Sequence, residues 1–457
     1  MLSGLRRLKT EALHALRGSR LLAEVHGLWL LGRSSFSPPE SDSRLEALLV
    51  AARRTTWNPA RRLLAARVRP WLEPARSEQI RDRQIGMQQY RGDFGGFDAR
   101  PVTFTRVLKA PGAGGEKGVL YSAFEYNWVR LLNRPGAREL LDRYYLIGAS
   151  SWSPPDYALF AWVAGLSDDP LFMGISNQAD VEAYRLMSPA IQPLPIMACD
   201  WIDPRHYDPK PRADRSIDIL MVANWLPFKR HWLLFSALRT MRKDLRVVLV
   251  GREAPGRTAD TIRDEARSFG VPQDLELRTG IGIDEVTKLQ CDSRITCLFS
   301  QREGSCVAVV ESFFANAPVA MMRDAHVGSK AYINEHTGVL LTRSGLGRQL
   351  SSFLERSDEF APRQWALEHV TYEHSRRKLN DMLRARAGRT GRPWTTDVVP
   401  ICWRPYPEYV DPVAVSPLAH AVDDLRERYG IELEPGASPT RASSARLTTA
   451  ETARYTS

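Results

Sequence analysis

The chain has no uninterrupted apolar run of the roughly 18 residues that a membrane-spanning helix needs, so no such helix is predicted. Cysteine is scarce: the five cysteines are scattered and form no C-x-x-C pair. This pattern argues against a disulfide framework or a zinc site and fits a reducing, cytoplasmic compartment. The most apolar N-terminal stretch, residues 21–32, is interrupted by Glu24 and His26 and lacks a small-residue cleavage site. A secretory signal is therefore not expected.

The 457 residues exceed one ordinary hydrophobic core, and 43% hydrophobic with 25% charged residues is typical of a folded globular protein. The charge is uneven. Residues 1–92 hold 17 basic and 8 acidic residues, a net charge of +9, whereas the whole chain carries +10. Between Glu46 and Glu73 there is no acid but a series of arginines: Arg53, Arg54, Arg61, Arg62, Arg67 and Arg69.

From about residue 100, apolar strand-length runs alternate with helix-length segments, which is typical of α/β sheets covered on both faces. The alternation occurs in two series, so we predict two doubly wound domains. The predicted parts are a basic, mostly helical extension (1–95), an N-terminal Rossmann-like domain (96–213), a C-terminal one (214–386) and a disordered tail (434–457). Part of 387–430 is expected to pack back on the N-terminal domain, and residues 363–386 are predicted to form one helix.

Residues 303–311 contain two acids, Glu303 and Glu311, around a glycine-led loop that enters a predicted helix. On a regular helix they would lie about 12 Å apart, too far to flank one glycosidic bond as a hydrolase requires. The unpaired N–H groups and the dipole at such a helix start favour a phosphate. A diphosphate held there, with a hydroxyl-rich group on each side, describes a nucleotide sugar.

Between Ile217 and Leu383 the chain contains, in order, DILMVANWLPFKRHWLLFSAL, LRVVLVGREAPG, LELRTGIGIDEV and REGSCVAVVESFFANAPVAM, and upstream of them GISNQADVEAYRL and PIMACDWIDPRHYDP. The first four resemble the C-terminal half of nucleotide-sugar glycosyltransferases of group 1, glycosyltransferase family four, and the resemblance extends more weakly back to about Val119. The resemblance implies two Rossmann-like domains facing a cleft, the B-type glycosyltransferase fold. It also implies retaining transfer of a sugar from a nucleoside-diphosphate donor.

By this resemblance Lys229 stabilises the leaving diphosphate, Glu303 holds the transferred sugar, and both are the expected catalytic residues. Glu311 is expected to accept hydrogen bonds from the ribose hydroxyls. The remaining expected donor-binding residues are Asn224, Gly251, Arg252, Ile281, Gly304, Ser305, Cys306 and Val307. The alternatives are structural: Lys229 as a solvated cation, Glu303 as a loop carboxylate and Glu311 as a helix acid paired with an arginine. Further alternatives are a packing role for Cys306, solvation of Arg252, and core packing of Ile281 and Ile283.

The chain departs from the family pattern in two ways. Asn224 stands where relatives usually have an arginine, so Arg230 or Arg252 is expected to replace that phosphate cation. No histidine lies between His26 and His206, which leaves the family's N-terminal-domain histidine without a counterpart. On the acceptor side we predict Ser153 and Asp156, which follow a strand.

No Asp-x-Asp pair occurs, which favours metal-independent chemistry without a cofactor, since enzymes that hold a diphosphate on a divalent ion use such carboxylates. Two glycine-rich segments, 92–98 and 110–118, are candidates for the first loop of the N-terminal domain.

The expected partners are a nucleotide sugar, a glycan or lipid-linked acceptor in envelope or extracellular polysaccharide synthesis, and an anionic membrane contacted through residues 44–76. Nucleic acid is not expected, because the arginines lack interleaved aromatic platforms. A basic segment that simply covers the fold remains open. Rival functions are a catalytically silent scaffold and another reaction on the same fold, such as epimerisation or phosphorolysis.

Overall fold

The computed structural model describes residues 12, 19–87, 101–153, 156–175, 178–187, 190–413 and 416–434. Their contacts divide into two compact units. One unit is formed by residues 202–371, and the other by residues 20–201 together with 372–434. No helix within the described ranges combines the length and the apolar character that crossing a bilayer demands.

Four helices precede the first sheet: α1 (Arg20–Ser34), α2 (Asp42–Arg54), α3 (Asn58–Val68) and α4 (Pro74–Arg83). Helix α1 approaches α2 closely at Gly27, where an added Cβ would lie 2.2 Å from the Thr55 hydroxyl oxygen. The Thr56 N–H donates to the Glu24 carboxylate over 2.6 Å. The close approach at Gly27 and the hydrogen bond between Thr56 and Glu24 thus attach α1 to the end of α2.

The predicted basic membrane surface, residues 44–76, is only partly available. The Arg61 side chain is 3% exposed and pairs with Asp180, and it donates to the Tyr157 hydroxyl over 3.0 Å. Arg53 lies 3.9 Å from Asp156, and Arg67 donates to Ser35 over 3.1 Å. Burying a guanidinium is favourable only when it is paired, so part of the arginine series joins these helices to the unit. For Arg61 the prediction of a lipid contact is wrong.

The N-terminal sheet follows in sequential order, β1-β2-β3-β4-β5, with β1 antiparallel to β2 and the other pairs parallel. Its strands are β1 (Thr105–Lys109), β2 (Gly118–Ser122), β3 (Tyr144–Ala149), β4 (Leu171–Gly174) and β5 (Ile191–Leu194). The helices between them are α5 (Glu125–Leu132), α6 (Ala137–Arg143), α7 (Tyr157–Val163) and α8 (Gln178–Met187). Among the described strands the order never reverses, so this part of the sheet has no switch point.

The two glycine-rich loop candidates fare differently. Residues 110–118 connect the antiparallel strands β1 and β2, and the Gly112 N–H donates to the Glu116 carbonyl over 3.0 Å. This segment is a hairpin turn, so its prediction as a strand-to-helix loop is wrong. The other candidate, 92–98, lies outside the described residues.

The C-terminal sheet is entirely parallel and has the strand order β13-β11-β9-β6-β7-β8. Its strands are β6 (Ile217–Val222), β7 (Val247–Gly251), β8 (Leu275–Thr279), β9 (Ser293–Leu298), β11 (Val319–Met322) and β13 (Gly338–Leu341). A small parallel ribbon joins β10 (Arg302–Glu303) to β12 (His326–Val327). The helices are α9 (His231–Leu238), α10 (Ala259–Phe269), α11 (Ile283–Cys291), α12 (Val307–Phe314), α13 (Leu346–Glu355) and α14 (Pro362–His369). The predicted α/β architecture with two Rossmann-like sheets is confirmed.

After residue 371 the chain returns to the N-terminal unit through α15 (Tyr372–Arg389), β14 (Ile401–Trp403), β15 (Pro407–Tyr409) and α16 (Ala419–Tyr429). The predicted single helix 363–386 is wrong, because α14 ends at His369 and α15 begins a separate helix at Tyr372. Helix α15 therefore lies outside the C-terminal unit, whose predicted boundary was 386. The Ser375 hydroxyl donates to the Asp200 carbonyl over 2.7 Å.

The first residue of the predicted disordered tail is ordered. Glu434 is buried, lies 2.8 Å from the Arg106 guanidinium and accepts from the Phe104 N–H over 2.9 Å. Residues 435–457, the remainder of that prediction, lie outside the described residues.

Candidate active site at the switch point of the C-terminal sheet

The strand order of the C-terminal sheet reverses between β6 and β9. In open parallel sheets, ligands bind beyond the carboxyl ends of the strands at such a reversal, because the two flanking loops diverge there. The loop after β6 carries Lys229 and the loop after β9 carries Glu303. The topology thus brings together two residues that lie 74 positions apart in the sequence.

The Lys229 ammonium lies 2.8 Å from Oε1 of Glu303, and both side chains are largely buried, at 12% and 15% exposure. Burial lowers the pKa of Lys229, but the attraction of Glu303 raises it, and the net pKa is above its ordinary value. Lys229 is therefore charged at neutral pH. Glu303 Oε1 is itself buried, and its partner there is the Lys229 ammonium.

Backbone contacts hold the two loops against each other. The Gln301 N–H donates to the Phe228 carbonyl over 2.8 Å, directly before Lys229. On the other side, the β10–β12 ribbon pairs Glu303 with Val327, and the Gly328 N–H donates to the Gly304 carbonyl over 3.1 Å. Both catalytic candidates are thus positioned by main-chain hydrogen bonds on rigid elements.

The Arg230 guanidinium connects neighbouring loops and is not available to bind a phosphate. Its buried guanidinium donates to the Phe299 carbonyl over 2.5 Å and to the Ser300 carbonyl over 3.2 Å, and it pairs with Asp324 at 3.0 Å. These partners occupy the fork, so the prediction that Arg230 replaces the missing family arginine is wrong. Arg252, the other replacement, is exposed beyond β7.

Helix α12 begins at Val307, and its cap residue Cys306 makes no side-chain cap hydrogen bond. The early N–H groups of a helix lack partners within it and lie at its positive end. Gly304 and Cys306 are buried beside this end, while Ser305 and Val307 are half-buried. Burial raises the pKa of the Cys306 thiol, and the thiol also interacts electrostatically with Glu303, Lys229 and Glu311. A protonated thiol that is buried acts as a packing group. Three of the predicted site residues, Glu303, Lys229 and Glu311, influence this thiol electrostatically.

Glu311 is 6% exposed and accepts a hydrogen bond from the Gln290 side chain over 3.2 Å. Glu303 lies on β10, before the helix, so the two acids do not share one regular helix and the 12 Å spacing of that geometry does not apply. The predicted arginine partner is replaced by an amide. Glu311 therefore lies on the inner side of α12, next to α11.

A second group of predicted donor residues lies along the same sheet edge, at the ends of β6, β7 and β8. The Trp225 N–H, next to Asn224, donates to the Arg252 carbonyl over 3.0 Å, and the Gly280 N–H, next to Ile281, donates to the Gly251 carbonyl over 2.9 Å. An added Cβ at Gly251 would lie 2.6 Å from the Ala223 carbonyl oxygen, so packing alone requires glycine there. Ile281 and Ile283 pack against the core cluster of Ile217, Leu220, Val248, Val250 and Val286.

The two predicted acceptor-side residues are structural in the N-terminal unit, so that prediction is wrong. Asp156 is the N-cap of α7, where its carboxylate accepts from the Ala158 N–H over 3.1 Å. The Ser153 hydroxyl donates to Asp180 over 2.5 Å, and Asp180 in turn pairs with Arg61. Both side chains are buried and hydrogen-bonded within the protein, so neither is available to contact a sugar acceptor.

Four residues that the sequence reasoning missed support the site: Gln290, Gln301, Asp324 and Trp225. Gln290 and Gln301 precede and follow β9, and Asp324 follows β11. Polar residues at the carboxyl ends of parallel strands are the signal that would have drawn attention to Gln301 and Asp324. Gln290 lies inside α11, and no pattern in the sequence marks it.

Comparison with known families covers the same part of the chain. Residues 205–360 match the model of the family described as glycosyl transferases group 1. The match covers about a third of the chain. The match contains the sheet edge described above, with Lys229, Glu303 and Glu311, so the resemblance seen in the sequence is confirmed for the group 1 domain.

Solved structures show weaker similarity, and no curated protein matches the chain. Anabaena Alr3699/HepE, crystallised with UDP and glucose, is 14% identical, with a TM-score of 0.47 over 58% of this chain and 78% of that one. Sucrose-phosphate synthase from Thermosynechococcus elongatus is 13% identical, with a TM-score of 0.46 over 59% and 74%. A point mutant of S. aureus TarM, in complex with Fondaparinux, alpha-GlcNAc-glycerol and UDP, is 13% identical with a TM-score of 0.43. That match covers 52% of this chain and spans 50% of the TarM chain.

Proposed function

We propose that the protein is a retaining glycosyltransferase that moves a sugar from a nucleoside-diphosphate donor to a glycan or lipid-linked acceptor. The observation that carries this proposal is the Lys229–Glu303 ion pair at the switch point of a group 1 domain, beside the start of α12. A cation and a helix N-terminus together suit a diphosphate, and a carboxylate beside them suits a sugar hydroxyl.

The proposed chemistry follows from charge. When the bond between the anomeric carbon and the phosphate oxygen breaks, negative charge grows on the leaving diphosphate, and the Lys229 ammonium and the α12 terminus stabilise it. In the structure Glu303 neutralises Lys229. Donor binding would give the ammonium a phosphate partner and release Glu303 to accept a sugar hydroxyl. Glu311 would take the ribose hydroxyls after giving up its contact with Gln290.

We also propose that the reaction needs no metal ion or cofactor, because Lys229 supplies the charge that a divalent ion would otherwise bring to the diphosphate. The proposed setting is cell-envelope or extracellular polysaccharide synthesis, with the protein in the cytoplasm at the inner face of a membrane. The basic N-terminal region, net +9 over residues 1–92, supports an anionic lipid surface in that setting.

A direct test uses the purified full-length chain with a panel of nucleoside-diphosphate sugars and a mixture of glycan and lipid-linked acceptors. We expect release of nucleoside diphosphate from at least one donor, undiminished by a chelator. If turnover is lost with the chelator and recovers only when Mg²⁺ or Mn²⁺ is added, the metal-independent part of the proposal is refuted. No turnover with any donor would refute the enzymatic part.

A catalytically silent scaffold is the second candidate, and two observations favour it. Glu311 is buried against Gln290, and Asn224 occupies the position of the family's arginine. The scaffold predicts nucleotide binding without turnover, or binding that is indifferent to substitution of Glu311. Isothermal titration with nucleoside diphosphates, beside the donor panel, separates the two functions.

A further inference from the structure

Helix α1 is apolar on two opposite faces, and the described part of the chain covers only one of them. The covered face consists of Gly27, Leu30, Leu31 and Ser34, at the three- and four-residue spacing of one helix side. It packs on α2 at Gly27, next to Thr55. This face accounts for the attachment of α1 to the unit.

The opposite face is exposed although it is made of large apolar side chains. Leu21, Val25 and Trp29 are 71%, 54% and 55% exposed, and the same side includes Leu22 and Leu28. Their spacing places them about half a turn from the covered face. Single exposed apolar residues are ordinary, but a contiguous apolar helix side marks a surface that binds something.

The charges around this surface have one sign. The Arg33 guanidinium lies over the Trp29 ring, 5.5 Å from its centroid, and Arg33 is exposed. Glu24 is the only acid in α1, and its carboxylate is turned to Thr56. Among the described residues of α1, the exposed side therefore combines aliphatic and indole side chains with Arg33 and presents no acid.

We infer that the exposed face of α1 docks on an anionic lipid bilayer, with α1 lying in the plane of the interface. Leucine and tryptophan suit the boundary between headgroups and acyl chains, and arginine suits anionic headgroups. A second copy of the same face would offer Arg33 no carboxylate, so charge complementarity favours lipid over self-association. The inference deepens the membrane setting of the proposed function and moves the contact from residues 44–76 to α1. It does not depend on glycosyl transfer.

The test is co-sedimentation of the full-length chain with vesicles of phosphatidylcholine mixed with phosphatidylglycerol, and with vesicles of phosphatidylcholine alone. The triple variant Val25→Ser, Leu28→Ser, Trp29→Ser should bind the anionic vesicles at least about tenfold more weakly. The matched control replaces three apolar residues elsewhere that are at least as exposed as Leu28, Leu186→Ser, Leu367→Ser and Val413→Ser, and should bind as the wild type does. Arg33→Gln should weaken binding about fivefold.

A labelled residue reports the geometry independently. The five native cysteines are all buried, so Leu22→Cys introduces one reactive thiol for an environment-sensitive dye. Its emission should shift to the blue with anionic vesicles, whereas the dye on Leu186→Cys should not respond. Thermal unfolding checks that each variant is folded.

The inference is overturned if the triple variant sediments with anionic vesicles as the wild type does. It is also overturned if the wild type binds neutral and anionic vesicles equally. A wild-type dimer that the triple variant converts to a monomer, without vesicle binding, assigns the face to a second copy and also overturns it. Donor turnover measured in the same samples keeps this outcome separate from the proposed function. A protein without turnover can still bind vesicles, and a protein with turnover can fail to bind them.

Discussion

Lys229 is the residue whose charge the proposed reaction needs most. Replacing it by alanine removes the cation that faces the leaving diphosphate, so we expect turnover to fall at least about tenfold, a loss typical for one stabilising group in a preorganised site. Steady-state kinetics with the preferred donor measures the effect. Lys243→Ala, an exposed lysine of the same unit, is the control. Removing Lys229 also leaves Glu303 unpaired, so thermal unfolding must accompany the assay, and near-normal turnover would exclude Lys229 from the mechanism.

Glu311 distinguishes the ribose role from a purely structural one. If it accepts the ribose hydroxyls, Glu311→Gln should weaken nucleoside-diphosphate binding about tenfold, since a charged acceptor becomes a neutral one. Gln290→Met removes the observed protein partner and leaves the carboxylate in place, so it should leave binding unchanged or tighten it. Calorimetric titration measures both. Equal weakening by both variants would mean that Glu311 acts only through its packing.

Three short elements at the sheet edge depend on Arg230, which connects the start of α9 to the end of β9 and to the loop after β11. Arg230→Gln leaves two carbonyls without a donor, and we expect a loss of about 2 to 4 kcal/mol in the free energy of unfolding. The donor KM should rise as well, because Lys229 lies next to this connection. Thermal unfolding and kinetics measure the two effects, with the exposed Arg239→Gln as control. A destabilised variant with an unchanged KM would show that the connection does not position Lys229.

The whole molecule should lose stability in acid in two stages. Burial lowers the pKa of His231 to about 3, so between roughly pH 6.5, the ordinary value, and pH 3 the unfolded chain binds a proton that the folded chain refuses. Unfolding is therefore favoured as the pH falls through this window. Asp169 and Glu116 contribute at the lower end of this window and below it. Burial raises the pKa of each, but Lys117 and Lys109 respectively lower it more, to about 2, so their stabilisation is lost between about pH 4.5 and 2.

His231→Phe tests the first stage. The unfolding temperature of this variant should depend less on pH between 6.5 and 4 than that of the wild type, whereas His336→Phe, an exposed histidine, should follow the wild type. An identical slope for all three proteins would show that His231 does not control this part of the acid response.

The sequence by itself determined the alternation of strands and helices, because continuous apolar runs such as LRVVLVG are typical of buried strands with covering helices. It singled out Lys229, Glu303 and Glu311, which lie within the residues that match the group 1 family. These are local properties, which neighbouring residues set.

Only the tertiary structure decided what each charged side chain does, because a charge acts on whatever lies within a few ångströms and such neighbours come from distant segments. Arg230 and Arg61 looked available in the sequence and are taken by Asp324 and Asp180. Asp156 and Ser153 were predicted on the acceptor side, but Asp156 caps a helix and Ser153 donates to Asp180. The exposed face of α1 illustrates the same point. Its apolar pattern is visible in the sequence, but only the packing of the described residues shows which face is covered.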